Sequence, residues 1–464
     1  MRPGDRVATL LPDGAAPAVL AHAVPRLGAT LVPLNVRLSA PELAWQLGDA
    51  TPGVLVAGAR TAALAEEAAR DAPHVRVLAW DRLDYAAPAP GVPLRLAHDP
   101  DAVLAILYTS GTTGRPKGAM LTVGNFWWSA VGSALNLGAR ADDRWLACLP
   151  LFHVGGLSIV LRAAVFGFAA LVHDGFDAAA VNRAIDDDGV TIVSVVAVML
   201  ERMLDARRDA AGRDRPYPPS LRCVLLGGGP APRPLLERCA ALGVPVVQTY
   251  GLTETCSQVA TLAPEDALPR LGAAGRALYP NALRVVDDDG RDAAPGAAGA
   301  ILVRGPVVTA GYWARPDATA RAIVDGWLHT GDVGRLDADG YLYVLDRRDD
   351  LVVTGGENVY PAEVEAALLA DARVAEAAVV GVPDATWGQR VVAVVRLADD
   401  APNAAGEDVA AALRAGCRAR LAGYKVPREV RVVATPLPRT AAGKLRRAAV
   451  REALRAPPGS DATP

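Results

Sequence analysis

Four apolar runs constrain this chain more than any other feature: residues 103–107, 191–198, 221–226 and 244–247. Turn residues bound each run, and none alternates with polar residues. That is the pattern of strands buried on both faces. Helical stretches accompany them, such as Ala62–Ala69 ahead of the first run and residues 234–241 between the last two. Strand alternating with helix predicts a doubly wound parallel sheet, hence an α/β fold. Ligands of such sheets bind beyond the carboxyl ends of the strands, so the residues following each run are where chemistry is expected.

The character of the sequence changes along its length. From about 271 to 345, short apolar segments are separated by turns such as Asp289-Gly290 and Asp339-Gly340, which predicts a β-rich subdomain. Five consecutive charged residues, Asp346 to Asp350, mark a boundary; a solvated charge run is the plain alternative. Residues 351–455 read as a small α+β domain. Its first helix has Pro361 in its first turn and Glu363 and Glu365 near the positive end of its dipole. The expected organisation is a large N-terminal domain over 1–345, a hinge at 346–350, the small domain, and a disordered tail at 456–464.

Composition narrows the function classes. A hydrophobic fraction of 51% and a charged fraction of 21% are those of a globular protein. The net charge of −3 argues against a nucleic-acid binder. No apolar run reaches the roughly 18 residues of a transmembrane helix, so no stable membrane association is expected. The start Met1-Arg2-Pro3-Gly4-Asp5 does not read as a signal peptide. The cysteines (Cys148, Cys223, Cys239, Cys256, Cys417) are odd in number, without a Cys-x-x-Cys pair, which fits a reduced, cytoplasmic protein. Of 48 basic residues only Lys117, Lys425 and Lys444 are lysine. In an arginine-dominated chain, a retained lysine suggests a site that needs a compact ammonium; chance retention is the alternative.

The loop after residues 103–107 is Tyr108-Thr109-Ser110-Gly111-Thr112-Thr113-Gly114-Arg115-Pro116-Lys117-Gly118. Its glycines let backbone amides turn toward an anion, its hydroxyls add donors, and Lys117 adds a point charge. This is a phosphate cradle, although Gly-Lys-Ser/Thr, the mark of a Walker A loop, is missing. A flexible hairpin is the alternative. After 221–226 comes Gly227-Gly228-Gly229-Pro230, where a flat ring could approach the backbone; a tight strand-to-helix turn explains it equally. After 244–247 comes Gln248-Thr249-Tyr250-Gly251-Leu252-Thr253-Glu254-Thr255. Tyr250 offers a stacking face or ordinary packing, and Glu254 is a hard oxygen ligand suited to Mg²⁺.

These residues resemble the adenylate-forming ligases, which include acyl-CoA synthetases, luciferases and peptide-synthetase adenylation domains. The resemblance runs from about Gly4 to Arg447. It rests on Tyr108 to Gly118, Gln248 to Glu254, His329-Thr330-Gly331-Asp332, Asp346 to Gly356, and Pro438-Arg439-Thr440-Ala441-Ala442-Gly443-Lys444. It implies ATP, Mg²⁺ and coenzyme A, and two half-reactions: formation of an acyl-adenylate with release of pyrophosphate, then displacement of AMP by a thiol. It implies that Thr109, Ser110, Gly111, Thr112, Thr113, Gly114 and Lys117 hold the phosphates. Gly228, Gly229, Tyr250 and Gly251 meet the adenine, Thr253 the α-phosphate, Glu254 the metal, and Asp332 with Arg347 the ribose. Taken alone, Asp332 could equally be a turn aspartate. Lys444 is implied as the catalytic lysine of adenylation, carried by a mobile small domain that rotates between steps. Asp349 falls at the hinge and Gly355 and Gly356 in the coenzyme A channel. Lys425 receives no firm role.

Within the family, the residues from Pro150 to Ser158, Leu225 to Pro232 and Gln248 to Gln258 are most similar to the o-succinylbenzoate–CoA ligases of menaquinone biosynthesis. A diacid needs donors in its pocket, and Thr249, Ser257 and Gln258 could supply them; capping of a following helix is the alternative. His153 resembles the family's position beside the reacting carboxylate. An aryl- or medium-chain acyl-CoA synthetase and a stand-alone adenylation enzyme that loads a carrier protein are the competing readings. Family members usually carry several tens of residues before the segment that here begins at Met1, so a misassigned start or a shortened domain is expected. Expected partners are small molecules (the acid, ATP and coenzyme A) with no nucleic acid; a homodimer is left open.

Overall fold

The computed structural model describes residues 2–83, 94–109, 116–229, 231–347, 352–354, 357–359, 361–384, 386–398, 409–421, 423–440, 443 and 445–454. The chain divides into two compact units. One comprises Met1–Gly228, Arg238–Arg284 and Leu302–Thr330, the other Gly229–Glu237, Val285–Ile301 and Gly331–Pro464.

The first unit holds two sheets. One has six strands in the order Arg76–Ala79, Val54–Ala57, Arg6–Leu10, Thr30–Pro33, Val103–Thr109 and Lys117–Thr122. Its first five strands run parallel and the last pair is antiparallel. The other sheet has seven strands, in the order Ala169–Val172, Arg144–Ala147, Ile192–Val195, Cys223–Leu226, Val246–Leu252, Ser257–Thr261 and Arg276–Ala277. Here too the first five are parallel and the last two return antiparallel. Ile192–Val195 and Cys223–Leu226 are buried at every residue, as expected of strands covered on both faces. Helices Val154–Phe166, Ala178–Asp187 and Ala197–Ala206 alternate with these strands. The Asp177 carboxylate caps the second of them by accepting from the Ala180 amide at 2.7 Å.

Two sequence expectations shift in the structure. The run 191–198 is a strand only to Val195. Val196 is the extended N-cap of the helix that begins at Ala197. Continuous apolar character does not separate a buried strand from the start of a buried helix. The run 244–247 becomes strand Val246–Leu252, because Pro245 has no N–H to contribute to the ladder. The alternative reading of Thr249, Ser257 and Gln258 as caps of a following helix does not hold; the 3₁₀ turn Thr253–Thr255 returns the chain into strand Ser257–Thr261.

The β-rich stretch forms a five-stranded sheet from Ala282–Val286, Gly299–Arg304, Trp327–Leu336 and Ile323–Val324, with Leu342–Arg347 paired to Trp327–Leu336. The C-terminal part is α+β. Its strands run Glu357–Val359, Val352–Thr354, Gly388–Leu397 and Val374–Asp384, with Glu429–Val433 parallel to Gly388–Leu397. Helices Pro361–Leu369 and Val409–Arg418 bury Val364, Leu368, Leu413 and Cys417 against Val379, Val391 and Val395. Glu365 turns inward: it takes Arg447 Nη2 at 2.6 Å and Arg447 Nε at 3.0 Å, and accepts from the Val379 amide at 2.8 Å. Among the described residues, no helix is long and apolar enough to cross a membrane.

A buried ion pair locks the amino edge of the seven-stranded sheet. Asp143 is 2% exposed. It accepts from Arg222 Nε at 2.8 Å, Arg222 Nη2 at 2.5 Å, the Thr191 hydroxyl at 2.8 Å and the Arg140 amide at 2.8 Å. Arg222 also donates to the carbonyls of Leu137 and Gly138 at the end of helix Val123–Leu137. Burial alone would raise the Asp143 carboxyl, but the bonds from Arg222, Arg140 and Thr191 outweigh it and hold the group below the ordinary range. A folded pKa below the unfolded one gives stability that is complete above the unfolded pKa and is lost as pH falls through the folded pKa. Asp143→Ala strands the guanidinium, at a cost of about 3–5 kcal/mol. The variant is expected to melt several degrees lower at pH 7, with the gap from the parent narrowing toward pH 3. Equal melting temperatures at pH 7 would refute the claim.

Candidate active site

Strand register brings the candidate loops of the seven-stranded sheet together. Leu226 lies beside Val195 on one side and Gln248 on the other, so three carboxyl ends are level. Gly227 therefore follows against Thr249, where a Cβ would come within 2.9 Å of the threonine methyl. Gly228 has φ +78°, and its Cβ would meet Val196 at 3.0 Å, whereas Gly229 faces open space. A tight turn accounts for Gly227 and Gly228; Gly229 has no such steric reason. Gly251 is demanded by the returning strand, because a Cβ there would stand 1.6 Å from the Ser257 carbonyl oxygen. Tyr250 is buried and pairs across the ladder with Ala260.

The turn Thr253–Thr255 is tied by the Leu252 amide donating to the Thr255 hydroxyl at 2.8 Å. Cys256 and Ser257 follow with φ of 49° and 86°, a left-handed pair that redirects the chain. The Thr249 hydroxyl is taken up within the sheet, donating to the Ala260 carbonyl at 3.0 Å and lying 2.8 Å from the Thr261 hydroxyl. Gln258 differs. It is 2% exposed, and neither its amide nitrogen nor its amide oxygen has a hydrogen-bond partner among the described residues.

His153 is the N-cap of helix Val154–Phe166, in the loop after strand Arg144–Ala147. That loop meets the loop after strand Arg6–Leu10, where the Asp13 carboxylate accepts from the Leu151 amide at 2.8 Å. Carboxyl-end loops of both sheets therefore converge here. Burial pushes the His153 imidazole down to about 4, helped by the charge of Arg37. Its Nε2 is buried without a partner among the described residues. The ring is therefore a neutral imidazole at ordinary pH. Asp13 is raised by burial, against the lowering effects of the Leu151 amide and Arg37.

Of the phosphate-loop segment, the structure describes the two flanking strands. Val103–Thr109 and Lys117–Thr122 form an antiparallel hairpin whose register closes at Thr109 opposite Lys117. Thr109 Oγ1 lies 3.4 Å from the Lys117 carbonyl oxygen. Ser110, Gly111, Thr112, Thr113 and Gly114 lie outside the described residues. Lys117 places its ammonium 5.3 Å from the centre of the Tyr312 ring. The Tyr312 hydroxyl donates to Glu254 Oε1 at 2.9 Å. The Glu254 carbonyl in turn accepts from the Thr309 amide at 2.8 Å. A single carboxylate suits Mg²⁺, which takes water and substrate oxygens as most of its ligands. No cluster of three or more acidic, histidine or cysteine side chains that could hold a metal occurs among the described residues.

In the second unit, Asp332 lies inside strand Trp327–Leu336, so the turn-aspartate alternative does not hold. The ladder pairs it with Arg347, and it is 5% exposed. The side chain of Arg347 lies outside the described residues, as do Asp349, Gly355, Gly356, Lys444 and residues 456–464. Lys425 pairs with Glu363, each carboxylate oxygen 2.7 Å from its Nζ. Asp13, Arg37 and Tyr312 were not signalled by the sequence reading: each acts on a partner more than fifty residues away, and none follows one of the four apolar runs.

Comparison with known proteins gives a consistent result. A family model described as AMP-binding enzyme matches residues 1–313, and one described as AMP-binding enzyme C-terminal domain matches residues 363–444. The chain is 52% identical over 448 residues to a 2-succinylbenzoate–CoA ligase of Geobacillus kaustophilus (strain HTA426), covering 96% of this chain and 87% of that protein. Identity to the enzyme of the same name from Bacillus cytotoxicus is 45%, over 98% of this chain and 89% of that protein. Among solved structures, o-succinylbenzoate CoA synthetase of Bacillus subtilis in complex with its acyl-adenylate intermediate superposes with a TM-score of 0.87 at 41% identity, covering 98% of this chain and 89% of that one. The same enzyme with ATP and magnesium ion gives 0.86 at 41% identity, covering 97% and 89%. With both family models placed in order along it, the chain belongs to the AMP-binding enzyme family.

Proposed function

We propose that this chain is an ATP-dependent acid–CoA ligase and that its acid is 2-succinylbenzoate (o-succinylbenzoate). The observation that carries this reading is 52% identity across 96% of the chain to a ligase of that name. In the first half-reaction an acid carboxylate oxygen attacks the α-phosphorus of ATP, and the bond to pyrophosphate breaks. In the second, the coenzyme A thiolate attacks the acyl carbonyl, and AMP leaves with the carboxylate oxygen. Neither step needs a nucleophile from the protein. The work is charge neutralisation and alignment of attacking and leaving atoms.

On this reading Thr109, Ser110, Gly111, Thr112, Thr113, Gly114 and Lys117 hold the β- and γ-phosphates. Gly228, Gly229, Tyr250 and Gly251 border the adenine, Thr253 meets the α-phosphate, and Asp332 with Arg347 binds the ribose. Glu254 would hold Mg²⁺, which neutralises phosphate charge when bound. Lys444 serves adenylation, Asp349 acts as hinge, and Gly355 and Gly356 border the pantetheine path. His153 meets the reacting carboxylate as a neutral ring, so it adds no competing charge. The unpartnered amide of Gln258 supports a polar acid, since a buried donor left unmade costs about 1–3 kcal/mol that a carboxylate could recover. A fatty-acyl chain could not recover it. Thr249 and Ser257 complete the proposed pocket edge. A cytoplasmic location fits this chemistry, and a homodimer is compatible with it without contributing a step.

Three outcomes follow. Pyrophosphate release measured over a panel of acids should favour 2-succinylbenzoate strongly, with a coenzyme A thioester as product; equal rates on simple benzoates or fatty acids would favour the broader acyl-CoA synthetase reading. Lys444→Ala should lower adenylation by roughly 10²–10³-fold yet leave thioester formation from supplied acyl-adenylate largely intact, and equal loss of both steps would contradict its assignment. Because the His153 ring is depressed to about 4, it is neutral above that pH. The kcat/KM of adenylation should show no histidine inflection near pH 6.5 that His153→Asn removes; finding such an inflection would count against the neutral ring.

A further inference from the structure

The segment from Thr309 to Arg315 is bound to the phosphate-loop hairpin along its length. Met120 N donates to Gly311 O at 2.9 Å, Ala310 N to Met120 O at 3.1 Å, and Trp313 N to Gly118 O at 2.8 Å. The Thr309 hydroxyl donates to Met120 O at 2.7 Å, while the Thr309 amide holds the Glu254 carbonyl. Tyr312 sits at the middle of this strap. Its own amide donates to the Thr319 hydroxyl at 2.9 Å, which fixes where its side chain begins. Arg315, at the end of the strap, is anchored to Asp49, which also accepts from the Tyr108 hydroxyl at 2.8 Å.

Two interactions leave the Tyr312 side chain in different directions. The hydroxyl donates to Glu254 Oε1, and the ring face receives the Lys117 ammonium. A phenol that donates to one carboxylate oxygen keeps the group ionised in character and fixes the heading of the other oxygen. A ring beneath an ammonium restrains a long side chain without neutralising its charge. We infer that Tyr312 is a positioning residue that presets both the Glu254 carboxylate for a divalent cation and the Lys117 ammonium for nucleotide phosphate. This rests on the proposed roles of Glu254 and Lys117.

An arginine at position 117 would stack on the ring as a plane and offer a fork in place of a point charge. The pairing therefore gives a reason for lysine at this position in an arginine-dominated chain.

The test is calorimetric binding of Mg·ATP, and separately of ATP in excess chelator, to the full chain. Tyr312→Phe keeps the ring and removes the hydroxyl. It should weaken Mg·ATP by about tenfold, the scale of a hydrogen bond to a charged group, and leave metal-free ATP within about twofold. Tyr312→Leu removes both interactions and should weaken metal-free ATP as well. A thermal melt of each variant reports whether the fold is kept. Equal weakening of both ligands in Tyr312→Phe, or of neither, overturns the inference, as does Tyr312→Leu behaving like Tyr312→Phe. Glu254→Gln separates this from the reading beneath it. If that variant binds Mg·ATP like the parent, the metal role of Glu254 falls and the inference with it. If Glu254→Gln is impaired and Tyr312→Phe is not, only the inference falls.

Discussion

The register that sets Leu226 level with Val195 and Gln248 governs much of what the first unit can do. Parallel strands end together, so the residues following them share one edge of the sheet. Gly227 and Gly228 are glycines because of that levelling: Thr249 and Val196 occupy the space a side chain would need. The same constraint puts Thr253–Thr255 directly beyond the strand and sends Ser257–Thr261 back along it, which makes Gly251 obligatory. Once backbones are this close, the loops have few conformations left, and polar groups on them stand at fixed places before any ligand arrives. Preset geometry of this kind is what a reaction without a protein nucleophile depends on.

The sequence was most legible where burial and chain direction act locally. Buried strands at Val103–Thr109, Ile192–Val195 and Cys223–Leu226, and helix Ala62–Ala69, could be read from unbroken apolar runs and helical spacing. Boundaries were less legible. Val196 looks like one more strand residue until the helix behind it claims it, and Pro245 delays a strand that apolarity alone would start earlier. The contacts hardest to foresee join distant segments: Asp13 with Leu151, Tyr312 with Glu254, Arg447 with Glu365. Nothing in local spacing encodes which tyrosine reaches which carboxylate. Only the closed topology of the sheets does.

Lysine retention is a weaker guide than the bare count suggests. Lys425 forms an ion pair with Glu363 that an arginine could also make, so its retention alone does not point to a site. Lys117 is the better case, because its ammonium faces the Tyr312 ring at 5.3 Å, where a guanidinium would stack as a plane and present a fork in place of a point charge. Glu363 and Glu365 show the same divergence in acids. Both sit in the first turns of one helix, yet one ends in a partly exposed pair with Lys425 and the other in a buried pair with Arg447. The helix dipole would treat them alike; tertiary partners separate them.

The groups most out of balance are the buried ones that bond to nothing among the described residues. His153 Nε2 and both amide atoms of Gln258 have given up water without a protein partner in return. Each such atom costs stability, and a chain under selection for stability alone would have replaced them with Leu or Met of similar volume. Both lie on segments that follow the carboxyl ends of parallel strands, where ligands of α/β sheets bind. Asp143, Arg222, Glu365 and Arg447, buried or nearly so and away from those edges, are multiply bonded. Ser133 Oγ and Asn281 Oδ1, away from those edges, also lack a partner among the described residues, so it is the position of His153 and Gln258 beyond the strands, together with the unmade bonds, that fits a polar substrate.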